Sequence, residues 1–156
     1  MPNPSFRPTV NACVTVLILL LGNADARAEL GGTMPNEADP AVAGASPQTL
    51  LNGALRMRTL TDAGNTTLNE YASSTGQIIA YTWQGPTMPD LRALLGKYVD
   101  SYRAGAAALT AGGNLHTSRV VRPDVIVESG GPMRGYAGRA WLPAALPPGI
   151  TSNDFR

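Results

Sequence analysis

Ser129 lies in the string Glu128-Ser129-Gly130-Gly131-Pro132. A serine of this kind acts as a nucleophile when a histidine takes its proton and a carboxylate orients that histidine. The chain holds one histidine, His116, and Asp124 falls between it and Ser129. A second set has the residue types for acid–base chemistry: Glu128 or Asp124 as a base beside Arg134 and Tyr136, provided that they converge in a cleft. Glu128, Arg134 and Arg139 would also suit a polar site on the last hairpin, the arginines facing a carboxylate or phosphate group.

Spacing argues against the nucleophile. The string differs by one methylene from the Asp-Ser-Gly-Gly-Pro of chymotrypsin-like proteases, and the order His, Asp, Ser is the same. In those enzymes, however, the three residues come from distant parts of two β-barrels, whereas here they all fall between His116 and Ser129. A Gly-Gly pair between two strand-like runs is instead a hairpin signal, because the favoured two-residue turns need positive φ. With Gly130 and Gly131 as the loop, Ser129 would face Pro132, Glu128 would face Met133, Val127 would face Arg134 and Val125 would face Tyr136. Glu128, Asp124 and Arg134 then remain as weak catalytic candidates, against a reading in which the charges on the hairpin are strand-surface charges that pair with one another. His116 follows Gly112-Gly113-Asn114-Leu115 and reads as a loop residue, and one histidine alone does not make a metal site. No P-loop, G-x-S-x-G, H-E-x-x-H or dinucleotide fingerprint occurs, so no cofactor is expected.

The elements that would carry these residues follow from periodicity. LRMRTLT, TTLNEYA and QIIAYTW each lean toward period two and are separated by the turn clusters DAGN and SSTG, which predicts a three-stranded antiparallel meander. Ile79, Tyr81 and Trp83 are expected on one face of its third strand. Gly85-Pro86 stops that strand, and Thr87-Met88-Pro89-Asp90 reads as a helix start with a hydroxyl N-cap. Leu91, Leu94, Leu95, Tyr98, Val99 and Tyr102 form an apolar stripe, so an amphipathic helix is expected over Pro89–Arg103, with Gly96 as its weak point. Two further strands, DVIVES and MRGYAGRAWL, complete an α+β fold with an antiparallel sheet of about five strands, βββ-α-ββ, and one helix packed across one face. Gly135 and Gly138 in the last strand predict a bulge or a close backbone approach. The aromatic residues are expected mostly between sheet and helix, any left exposed being candidates for a protein or glycan surface.

The flanks have a different character. Residues 1–28 have the three parts of a signal peptide: a positive start with Arg7, an apolar run over Ala12 to Leu21, and Ala26-Arg27-Ala28 before Glu29. That apolar run is too short for the roughly twenty residues of a bilayer-spanning helix. Cleavage after Ala28 would leave an exported protein, periplasmic or secreted, and would remove Cys13, so the mature chain would hold no disulfide and no thiol chemistry. Residues 29–49, rich in Gly, Pro and Ala, read as a flexible leader. A single small domain is expected over 50–146, followed by a proline-containing extended tail over 147–156. Without Arg7, Arg27 and Asp25 the chain holds ten basic and ten acidic side chains and no basic cluster, which speaks against nucleic acid as a partner.

Two long strings carry a resemblance. WQGPTMPDLRALLGKY (Trp83 to Tyr98) and VIVESGGPMRGYAGRAWLP (Val125 to Pro143), with the LGG at Leu30 to Gly32 and LPPGI near the C-terminal end, resemble the uncharacterised proteobacterial domain of unknown function family 2844. The resemblance spans nearly the whole chain after the signal peptide and brings no activity, ligand or catalytic residue with it.

Two functions from different classes fit these observations. One is a non-catalytic exported module that binds another envelope or secreted component through a sheet edge, an aromatic patch or the leader. The other is a small periplasmic hydrolase or ligand-processing enzyme using Glu128 or Asp124 with Arg134. The enzyme requires a concave pocket holding both Glu128 and Arg134; the module leaves those side chains solvated.

Overall fold

The computed structural model describes residues 29–35, 46–109, 117–132 and 134–156. The signal-peptide reading, His116 and Met133 lie outside the described residues. Seven strands form one fully antiparallel sheet: β1 (Gln48–Leu50), β2 (Leu55–Thr61), β3 (Thr67–Ser73), β4 (Ile78–Gly85), β5 (Thr117–Val121), β6 (Ile126–Gly130) and β7 (Tyr136–Trp141). Their order across the sheet is β1-β2-β3-β4-β7-β6-β5. The α+β class and the antiparallel sheet are as expected, but the sheet has seven strands rather than about five. The two additional strands are its edges, β1 and β5. Each is paired on one side only, and their sequences, QTL and TSRVV, are too short or too polar for a clear period-two signal.

The expected helix over Pro89–Arg103 is two helices, α1 (Leu91–Leu95) and α2 (Val99–Leu109), joined by a 3-10 turn over Gly96–Tyr98. Gly96 adopts φ 51° and ψ −122°, and a Cβ there would lie 2.5 Å from Glu29 Cδ. Glycine therefore both breaks the helix and makes room for the segment that begins at Glu29. The N-cap is Asp90 rather than Thr87: its carboxylate accepts from the amides of Arg92 and Ala93 at 2.9 and 3.2 Å. Thr87 instead faces the turn that leads into β3, where its carbonyl accepts from Thr66 Oγ1 at 2.7 Å.

The two faces of the sheet have separate cores. Beneath the helices lie Leu68, Tyr81, Trp83, Leu94, Leu95, Val127 and Ala140, with Leu30 and Met34 fully buried among them. Residues 29–35 thus do not behave as a flexible leader. Leu30 N donates to Leu94 O, Gly31 N to Ile78 O and Met34 N to Gly76 O, each at 2.8 Å, so this segment is stitched to both helix and sheet. On the opposite face Leu55, Tyr71, Ile79, Ala80 and Trp141 pack against Phe155, with Leu146 and Ile150 beside them. The expected extended tail is therefore a cover for the second face.

A bulge in β4 separates Ile79 from its expected neighbours. Tyr71 pairs with Ala80 and Ala72 with Ile78, leaving Ile79 as the extra residue, so it joins the tail-side core while Tyr81 and Trp83 face the helices. Under the helices Arg58, Glu70 and Tyr81 occupy one row across β2, β3 and β4. Arg58 Nε donates to Glu70 Oε2 and Tyr81 Oη donates to Oε1, both at 2.7 Å, with the two charged side chains fully buried. Each carboxylate oxygen keeps a donor, which offsets the burial of Glu70, whereas Arg58 Nη1 has no hydrogen-bond partner among the described residues. No helix among the described residues is long and apolar enough to cross a membrane.

Candidate functional site

The tail-side face of the sheet changes character row by row. One row, Tyr71, Ala80, Trp141, Ile126 and Val121, is predominantly apolar and runs across β3, β4, β7, β6 and β5. The tail covers much of it through Phe155, whose ring lies 5.0 Å from that of Tyr71. Two residues along every strand the row is polar: Asn69, Thr82, Arg139, Glu128 and Arg119. Two further along it is Thr67, Gln84, Ala137, Gly130 and Thr117, with the smallest residues in the middle. The period of two that places one face of each strand in a core thus also aligns these five-residue rows across strands.

Over the last two rows lies a cleft of about 720 Å³, bounded at one end by Phe155 and Arg156. That volume is in the range of small-molecule sites, roughly 300–1,000 Å³.

Glu128 is the hub of the polar row. Its Oε1 accepts from Arg119 Nε at 2.7 Å and its Oε2 from Arg139 Nε at 2.6 Å. Partial burial pushes its carboxyl upward, but the hydrogen bond and charge of Arg139, and then those of Arg119, outweigh it and hold the group below the ordinary glutamate value. Arg139 is committed further: Nη1 donates to Ser152 O at 2.6 Å, and its guanidinium lies over the Trp141 ring at 5.2 Å. It therefore ties the tail to the sheet. Arg119 is more open, its side chain being 62% exposed against 28% for Arg139. At the far end Asn69 Nδ2 donates to Thr82 Oγ1 at 3.2 Å and to the Arg156 carbonyl oxygen at 3.1 Å, and Tyr71 Oη donates to the same oxygen.

The sequence-derived candidates do not converge. The loop between β6 and β7 runs from Gly131 to Gly135, not over Gly130 and Gly131 alone, so the expected hairpin register is displaced. Gly130 pairs with Ala137, Ser129 with Gly138 and Glu128 with Arg139. Pro132 lies within the loop, its carbonyl accepting from Gly135 N at 2.9 Å, and Gly131 and Arg134 both take positive φ. A two-residue turn cannot accommodate that proline-containing turn. Arg134 is consequently an exposed loop residue, not a neighbour of Glu128, and it does not line the cleft. Asp124 precedes β6 and accepts from Ser101 Oγ on α2 at 2.7 Å. Five residues of extended chain, about 16 Å at some 3.3 Å each, separate it from Ser129, which excludes a hydrogen-bonded chain through both. Tyr136 begins β7 opposite Gly85, away from the polar row.

Arg119, Asn69, Thr82 and Gln84 were not expected at a site. Each is an ordinary polar residue of a strand, and only the pairing of distant strands brings them together. A partial signal was available in the alternation within TSRVV and DVIVES, which puts Arg119 and Glu128 on polar positions of adjacent strands. Among the described residues no three histidine, cysteine, aspartate or glutamate side chains are grouped to hold a metal ion.

A family model described as a protein of unknown function, DUF2844, matches residues 26–155. Comparison with curated proteins and with solved structures returns no match.

Proposed function

The chain belongs to the DUF2844 family, and from that premise we propose that it is an exported, non-catalytic binding module whose ligand lies on the uncovered part of the tail-side sheet face. The observation that carries this reading is the state of Glu128. Both of its oxygens are engaged by arginine Nε groups and its carboxyl is held ionised below the ordinary range, so it anchors two cations and is a poor proton acceptor. The cleft has the concavity that an enzyme requires and contains Glu128, yet Arg134, the partner that the enzymatic alternative names, stands outside it. Export is supported by the positive start, the apolar run and the Ala-x-Ala end of residues 1–28.

A thermal-shift screen of the chain from Glu29 against soluble envelope fractions tests the module, since any ligand that binds only the folded state raises its melting temperature. A fraction should stabilise the parent chain and shift Gln84→Leu, which removes an amide donor and acceptor from the cleft rim, by less. Turnover of any component of those fractions by the parent, abolished in a folded Glu128→Gln variant, would establish the enzymatic alternative instead.

A further inference from the structure

Resting on the binding-module reading, we infer that the cleft takes an acidic saccharide, a ligand that presents ring hydroxyl groups to the strand side chains and a carboxylate to Arg119. Charge is the first argument. The titratable side chains lining the cleft are Arg119, Arg139, Arg156 and Glu128, so the lining is positive overall although the chain after residue 28 is balanced. Among the described residues Arg119 is engaged only through Nε, by Glu128, which orients the planar guanidinium and directs its remaining donors away from that bond. A guanidinium held in this way matches the two oxygens of a carboxylate.

The second argument is the character of the remaining lining. Thr67, Gln84 and Thr117 are exposed and stand around a low floor made by Gly130 and Ala137. Short hydroxyl and amide side chains on rigid strands offer both donors and acceptors, which is what a ligand of many hydroxyl groups requires. A peptide is the poorer fit. Peptides that join sheets do so through free edge amides; of the strands under the cleft, β3, β4, β7 and β6 are each paired on both sides, and the free edge of β5 lies at the rim rather than on the floor. Nor do the exposed large apolar side chains of the described residues, Leu51, Met88, Leu109 and Val121, line the cleft to receive a hydrophobic anchor.

Isothermal titration of the chain from Glu29 with trigalacturonic acid, its methyl ester, a neutral galactose trimer and triglutamate tests the inference. The acid should bind. Its affinity should fall about tenfold or more on esterification, the loss of one charge-assisted contact. Arg119→Met should weaken it similarly, and Thr117→Val, which leaves the ion pairs untouched, should weaken it by a smaller factor. Co-sedimentation with insoluble polygalacturonate distinguishes recognition of chain interiors from recognition of free trimers. Equal binding of ester and acid would overturn the acidic part, and equal binding of triglutamate the saccharide part; in both cases the binding module stands. Failure of every acidic saccharide to bind overturns the inference as a whole. An envelope ligand that stabilises Gln84→Leu as fully as the parent would instead remove the cleft reading itself.

Discussion

Glu128 shows how a side chain that looks catalytic in one dimension is recruited for something else in three. Its folded carboxyl lies below the ordinary glutamate value of about 4.5, so the stabilisation from its two arginine bonds is fully present above that pH. It is lost as the pH falls through the lower folded value and the carboxylate is protonated. Glu128→Gln should therefore cost about 1–2 kcal/mol at neutral pH, where charge-assisted bonds are replaced by neutral ones on a partly exposed surface. Melting curves of parent and variant should converge as the pH is lowered beneath the ordinary glutamate value and through the lower folded one. A difference that stays constant into acid would mean that Glu128 is not ionised when it holds the arginines. The sequence identified Glu128 and Arg139 as members of one polar set but supplied the wrong third member. Arg134 is separated from them by a turn that Pro132 lengthens, and no local propensity signals the resulting register.

Strands and helices meet here through glycines, and two of these positions differ in how much the neighbour can yield. At Gly138 on β7 a Cβ would lie 2.5 Å from the backbone oxygen of Glu128 and 2.5 Å from Trp83 Cε2. Neither a paired strand carbonyl nor a buried indole can move away without breaking the packing around it. At Gly105 on α2 the nearest atoms are Val120 Cγ1 at 2.5 Å, on the edge strand β5, and Arg122 Cδ at 3.1 Å, on the residue that follows it. Gly138→Ala should destabilise the fold by about 2–3 kcal/mol or more, at the upper end of overpacking costs. Gly105→Ala should cost less, since alanine regains up to about 1 kcal/mol of helix propensity. Urea denaturation of the two variants decides this, and an equal loss at both sites would contradict the assigned rigidity. The close approach expected at Gly138 from its place in a strand is what the structure contains. The broken helix was only half readable: Gly96 was visible as a weak point, but the packing of Glu29, a residue distant in sequence, against it was not.

The sheet is covered on both faces, and each cover draws on a segment that composition assigns to a flexible end: residues 29–35 beside the helices and the C-terminal tail on the opposite face. Periodicity detects elements whose own residues alternate, so it located β2, β3, β4 and the helical region, whereas a cover needs only one or two apolar anchors among polar and glycine residues. Phe155 is such an anchor on one face; Leu30 and Met34 are on the other, both essentially inaccessible. The N-terminal cover makes the sharper test. Leu30 sits against Leu94 and Leu95 with its amide bonded to Leu94 O, and Gly31 and Gly32 exchange hydrogen bonds with both sides of Ile78. Leu30→Ala should cost about 2–5 kcal/mol, as for a leucine removed from a filled core. Domains of this size hold only about 5–15 kcal/mol in total. Deleting residues 29–35 removes two such side chains and at least four backbone bonds together, so a chain beginning at Ser46 should lose its cooperative urea transition. A truncated chain that unfolds at the same urea concentration as the chain from Glu29 would show that the sheet and helices are complete without this segment, and that residues 29–35 are a leader after all.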